Sequence, residues 1–271
     1  MEMTKEMKFP NNTFEKRLKS MLKVDFRRMF TMPLFYIMVG ISMVIPILVL
    51  VMTTMMAGTR VDPTTGLETT IEAFESVWQA IATTSGSGSE TMSLDLTTMC
   101  NINMIYFILA VLVCIFVSDD FRSGYSKNLF TVRSNKKDYV ISKTLVCFIG
   151  GIAMIIGYFI GTMVGGVISG LSFSIGTVSA SQIVMCMLAK IFLLLVFVAI
   201  FLAMSVLGKQ RLWLSIVCSL GAGMLLFTMI PMMTPLDSNI MNVVLCLAGG
   251  VLFSLGIGEI SHLILRKTSL V

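Results

Sequence analysis

The sequence predicts an all-α membrane protein: six transmembrane helices preceded by an amphipathic interfacial helix, with both termini cytoplasmic. Three observations predict it. Mean hydropathy is +0.90 over 271 residues. Charged residues make up 13% of the chain, against roughly 25% in a soluble domain. Uncharged runs at 32–59, 96–118, 144–189, 191–208 and 212–236 each reach the roughly 18 residues that mark a span.

The spans are read at 33–56, 99–118, 142–168, 182–207, 212–232 and 241–265; polar Gly, Ser and Thr at 169–181 divide the longest uncharged run. They must be helices, because in hydrocarbon every N–H and C=O has to pair within its own segment. Lysine and arginine set the orientation. Of 20 basic residues, eight lie in 1–32, six in 119–143, two in 208–211 and two in the tail, so six crossings place 18 on one side, with Arg60 alone opposite and Lys190 inside a span. The positive-inside rule makes the basic side cytoplasmic. The domain plan is then a cytoplasmic amphipathic helix in 1–32 and a six-span domain in 33–271, with an outer loop at 57–98 and a cytoplasmic loop at 119–143. The charged first 30 residues carry no small-residue cleavage site after a short apolar core, so the first span is expected to stay as an anchor.

Within 12–31, Phe14, Leu18, Met21, Leu22, Met29 and Phe30 recur at helical spacing among Lys16, Arg17, Lys19, Lys23, Arg27 and Arg28, and Asn12 with Glu15 has the spacing of a capping box. This predicts a helix in the inner interface, with its apolar face in lipid and its basic face near anionic headgroups. In the outer loop, Ile71, Phe74, Trp78 and Ile81, with Thr69 and Glu72 at the spacing of a capping box, predict a short amphipathic helix over 69–84 on the outer surface, followed by a Ser-Gly hinge at 85–89.

The six cysteines (100, 114, 147, 186, 218 and 246) form no CxxC and read as free thiols in apolar helices. One histidine and 24 scattered methionines argue against a metal site. There is no G-x-x-x-x-G-K-[ST] phosphate cradle, no G-x-S-x-G elbow and no His-rich box, so no catalytic residues are assigned and the chain is expected not to be an enzyme. Nothing points to nucleic acid.

The segment 119–143 is the most informative. Apolar Leu129 and Phe130 stand among charges, which suits a short helix over 120–131 pressed into a partner's groove. The run Asp120-Phe121-Arg122-Ser123-Gly124-Tyr125-Ser126-Lys127-Asn128-Leu129-Phe130, then basic residues, then Tyr139-Val140-Ile141-Ser142-Lys143 entering a span, resembles the type-2 ABC exporter permeases. Val132-Arg133-Ser134-Asn135 stands where that family often has Pro-x-Ser-Arg. The resemblance implies that Asp120, Phe121, Arg122, Gly124, Lys127, Asn128, Leu129 and Phe130 couple the chain to an ABC ATPase. It further implies two copies of that ATPase, which would carry ATP and magnesium, and a second permease subunit, the same or a related chain. The location implied is a bacterial plasma membrane, and the branch most similar serves peptide-antibiotic immunity and drug export.

Inside the spans, Lys190 either faces a polar cavity or snorkels to the outer surface. Glu259 and His262, three residues apart, share a helix face as a proton relay or a structural bond. These three are the candidate substrate-pathway residues. Gly157, Gly161 and Gly165, and likewise Gly250, Ser254 and Gly258, repeat every four residues as close-packing stripes. Two other classes compete with the exporter permease: an ion-driven secondary transporter, disfavoured by few intramembrane charges and no clear repeat, and a noncatalytic scaffold or sensor. The charge distribution generates a topology prediction. On a cysteine-free background, a cysteine at position 87 is expected to react with an impermeant thiol reagent added outside, and one at 134 is not; the reverse pattern overturns the orientation.

Overall fold

The computed structural model describes residues 14–61, 68–71, 74–82, 101–132, 136–174, 178–227 and 229–267. The described residues are helical almost throughout. In order come α1 (Phe14–Thr31), α2 (Pro33–Met56), a two-stranded hairpin of β1 (Gly58–Val61) and β2 (Glu68–Ile71), a 310 turn (Val77–Ala80), α3 (Met104–Arg122), α4 (Tyr125–Val132), α5 (Lys137–Ser169), α6 (Ala180–Gly208), α7 (Leu212–Phe227), α8 (Met229–Met233) and α9 (Ile240–Lys267).

Among the described residues, five helices, α2, α3, α5, α6 and α9, are long and apolar enough to cross a membrane. The surface agrees. Large apolar side chains stand out all around the bundle, among them Met55 at 82%, Leu225 at 81% and Leu252 at 70% exposure, which water does not tolerate over so large an area. The expected span at 212–232 is instead the 16-residue α7 followed by the five-residue α8. Pro231 lies inside α8, and its ring and missing N–H disfavour one continuous helix there.

Helix ends follow local chemistry. Pro33 opens α2 at the first-turn position, where its missing N–H costs nothing. Gly170, in the left-handed region at φ +67°, closes α5. A capping box of Ser179 and Gln182 opens α6.

The glycine stripe on α5 faces α2. A Cβ on Gly161 would lie 2.1 Å from the Met43 carbonyl oxygen, and one on Gly165 would lie 2.9 Å from the Ile47 Cα. Backbone touches backbone there, as small residues permit in a bilayer. Gly250 does the same on α9, where a Cβ would meet the Phe192 carbonyl oxygen at 2.8 Å. The second stripe is looser: the space beside Gly258 holds only Val140, at 3.8 Å.

The outer-loop expectation is corrected. Residues 68–71 pair as a strand with 58–61, and only 77–80 turn helically. Thr69, Thr70 and Ile71 are β-branched and favour the strand. The turn does not lie on a surface: Val77, Ala80 and Ile81 are fully buried, plugging the end of the bundle farthest from α4. The Trp78 indole N–H donates to the Phe173 carbonyl at 3.2 Å, and the Tyr158 hydroxyl donates to the Ala80 carbonyl at 3.2 Å. The hinge at 85–89 and the Asn12 cap fall outside the described residues.

Gly161→Ala is expected to cost about 1–3 kcal/mol, the usual range for overpacking. Gly221→Ala, with nothing within 4 Å of its Cβ position, should be neutral or slightly stabilising. Thermal unfolding of the two variants in one detergent checks the contrast.

Candidate functional site

At the α4 end of the bundle, α1, α3, α4 and α5 enclose a cluster of buried charge. α5 has 33 residues, about 50 Å at 1.5 Å per residue, and so outruns a hydrocarbon core of about 30 Å. Its first two turns therefore serve as a post for polar side chains. Lys143, on the second turn, is fully buried. Its Nζ lies 3.0 Å from Asp25 Oδ1 on α1 and 2.7 Å from Asp120 Oδ2 on α3. These are charge contacts rather than well-aligned hydrogen bonds. Further partners complete the carboxylates. The Ser142 hydroxyl donates to Asp25 Oδ2 at 2.6 Å, the Tyr139 hydroxyl donates to Asp120 Oδ2 at 2.9 Å, and the Arg28 guanidinium donates to Asp120 Oδ1. Lys143 also sits 3.9 Å from the centre of the Phe116 ring, a face that attracts cations.

A second tie joins α1 to α5: Arg17 Nε donates to the buried Asp138 at 3.1 Å. Arg28 stacks over the Tyr125 ring at 4.3 Å, linking α1 to α4. Burial works against the Arg28 charge, but Asp120 outweighs it and holds the guanidinium pKa above its usual value. Burial, reinforced by Asp25, pushes the Tyr125 phenol up, so the ring that faces Arg28 stays neutral.

The residues expected to meet a partner divide into two groups. Asp120 and Phe121 are buried in α3, which runs on to Arg122; the expected helix over 120–131 therefore starts later, at Tyr125. Gly124 makes the break. Its φ is +73°, which a side chain would strain, and its carbonyl accepts the Asn128 N–H at 3.2 Å to begin α4. Leu129 and Phe130 are half-buried and pack on the chain's own core, with the Phe130 ring 5.4 Å from Tyr139 and edge-on to it. They are not stranded in water. Arg122, Lys127 and Asn128 are exposed.

The same end is tied to the last helix. Lys136 Nζ donates to the Leu265 carbonyl at 2.7 Å, and Lys137 pairs with Glu259 at 2.7 Å. His262 Nδ1 is 3.7 Å from Glu259. Glu259 is mostly exposed, so the pair forms a surface contact and not an enclosed relay. Lys190 is elsewhere, toward the far end. Its stem does not run to the surface: the residue is 1% exposed, and Nζ donates at 3.0 Å to Asn103 Oδ1 and at 3.0 Å to Thr234 Oγ1.

Part of the apolar stripe of α1 is used within the bundle. The face carrying Met21 and Met29 packs into the protein, although Phe14 and Phe30 remain exposed. Sequence reading passed over Asp25, Lys143, Asn103 and Thr234. Asp25 had a signal. It lies four residues from Met21 and from Met29, an acid on the apolar stripe, and such a residue needs a buried partner. Among the described residues no group of His, Cys, Asp and Glu is arranged to hold a metal.

Fold and surface together define a multi-pass α-helical membrane protein with a charged cluster at one end. The chain matches no family model, no curated protein and no solved structure.

Lys143→Met should leave Asp25 and Asp120 buried beside each other and cost about 3–5 kcal/mol, as for breaking a buried pair from one side. Adding Asp25→Asn should restore part of that stability. Unfolding curves in mixed micelles for both variants check it; equal stability of Lys143→Met and the parent would show that the cluster is not structural.

Proposed function

We propose that the chain is the membrane permease subunit of an ATP-driven exporter of the ABC type, with ATP hydrolysis on a separate subunit. The observation that carries this reading is α4. An eight-residue helix stands between two long apolar helices, anchored from behind by Leu129, Phe130 and the Arg28–Tyr125 stack, and showing Arg122, Lys127 and Asn128 to the outside. A rigidly held polar helix suits docking on a soluble partner, since ordering it on binding costs little.

In this reading α7 and α8 together make the fifth of six crossings, about 33 Å over residues 212–233 if they act as one. Both termini and α4 then lie in the cytoplasm, on the side rich in lysine and arginine. The assembly has two permease subunits, the same or related, and two ATPases that hold ATP and magnesium. The membrane is a bacterial plasma membrane. The cargo is hydrophobic or amphipathic, such as a peptide antibiotic or a drug.

The buried positions of Leu129 and Phe130 change the choice of test, because an aspartate at either would disturb the fold itself. The discriminating variant is Arg122→Glu with Lys127→Glu. Co-expressed with a candidate ATPase encoded nearby, it should melt like the parent, co-purify at least tenfold less ATPase and lose ATP-dependent transport in proteoliposomes. Full co-purification and transport would overturn the coupling role. Transport that persists without ATP under an ion gradient would favour a secondary transporter.

A further inference from the structure

α1 runs beside the first turns of α5 and in the same direction: Arg17 reaches Asp138, Asp25 reaches Ser142 and Lys143, and the Met29 sulfur lies 3.1 Å from where a Cβ on Gly150 would stand. The face that makes these contacts has its charges matched, since Arg17, Asp25 and Arg28 each hold a partner of opposite sign. The outward face does not. Lys16, Lys19, Lys23 and Arg27 are all exposed, and among the described residues none of them enters an ion pair. At 3.6 residues per turn they fall within an arc of about 80°. Phe30, 44% exposed, lies in the same arc. Of the two acids in α1, Asp25 faces inward and Glu15 stands at the helix start, farthest from α2.

The depth of each cation follows from α2. Arg27 and Lys23 stand about 9 and 15 Å along the helix before Pro33, where the apolar span begins. The outward side of that span is apolar from its start, with Tyr36 59% and Ile37 54% exposed. The Tyr36 hydroxyl donates to the Phe30 carbonyl at 2.9 Å, so the outward faces of the two helices are joined. The headgroup layer of one leaflet is roughly 5–8 Å thick, and long basic side chains reach back toward it. Arg27 and Lys23 therefore meet lipid phosphates. Lys19 and Lys16, about 21 and 26 Å before Pro33, lie beyond that layer by more than a Debye length of about 8 Å. Unpaired charge of one sign, with an aromatic ring at its foot and an apolar face below it, matches an amphiphile with an anionic head. A soluble acidic surface would leave Phe30 and Ile37 without a partner.

We propose that Arg27 and Lys23, with Phe30, form a binding site for an anionic phospholipid. The phosphodiester pairs with the two basic side chains, and an acyl chain lies along Phe30, Tyr36 and Ile37. The site rests on the membrane character of the chain alone and holds whether or not an ATPase drives it.

The test uses the full chain released from nanodiscs of equal phosphatidylglycerol and phosphatidylcholine, with the bound lipids counted by native mass spectrometry. A cation near the membrane surface is worth roughly a fivefold preference for anionic lipid, so the parent is expected to retain phosphatidylglycerol at least tenfold over phosphatidylcholine. Arg27→Gln with Lys23→Gln should bring that preference to about twofold or less. Lys16→Gln with Lys19→Gln should keep at least half of it. All four side chains are exposed, so both double variants should melt like the parent. Equal retention of the two lipids by the parent overturns the proposal, and that result depends on no variant. An undiminished preference in the Arg27 and Lys23 variant also overturns it and assigns the lipid to the other basic segments of that end. A greater loss in the Lys16 and Lys19 variant overturns it in favour of a soluble acidic partner on α1.

Discussion

Lys143 stands fully buried between Asp25 and Asp120, and the arrangement of this end of the molecule depends on that contact. None of the three charges is tolerable there alone. Removed from water, each loses hydration that only the others and their hydrogen-bonding neighbours replace. The three residues come from α5, α1 and α3, so satisfying one side chain fixes the placement of three helices. Arg28 extends the constraint to α4 through the Tyr125 ring. A helix of eight residues is too short to be stable by itself; it persists because the helices behind it are pinned.

The same contact decides which way α1 faces. With Asp25, Arg28 and Arg17 engaged by the bundle, Lys16, Lys19, Lys23 and Arg27 are left exposed. Amphipathicity in α1 therefore serves protein packing on one side and a basic outer surface on the other.

A different constraint governs the middle of the bundle, where glycines rather than ion pairs bring the helices together. Gly161 and Gly165 let α5 meet α2 at backbone distance, and Gly250 does so between α9 and α6. Close approach gains dispersion contacts that lipid cannot match. The far end is closed by polar stitching instead: Val77 N–H bonds to the Ser172 carbonyl at 3.2 Å, and Val77 fills the space above Gly166. One end thus holds paired charges and the other a buried lysine among neutral oxygens.

The sequence by itself determined the membrane class, the positions of the long apolar helices and the glycine stripes, because a bilayer imposes length, hydropathy and internal hydrogen bonding on each segment separately. From the polar setting of Leu129 and Phe130 it also pointed to a short helix within 119–143, though over 120–131 and not Tyr125–Val132. Tertiary structure decided the rest. Whether Leu129 and Phe130 wait for a partner or pack on their own core depends on where Tyr139 stands. Thr69–Ile71 became a strand because Gly58–Val61 lay opposite. Val77 was drawn inward where α5 offered Gly166. The partners of Asp25 and Lys190 lie 118 and 87 residues away at Lys143 and Asn103. A charge pattern read along one helix shows that a partner is required; only the folded bundle shows which one the low dielectric selects.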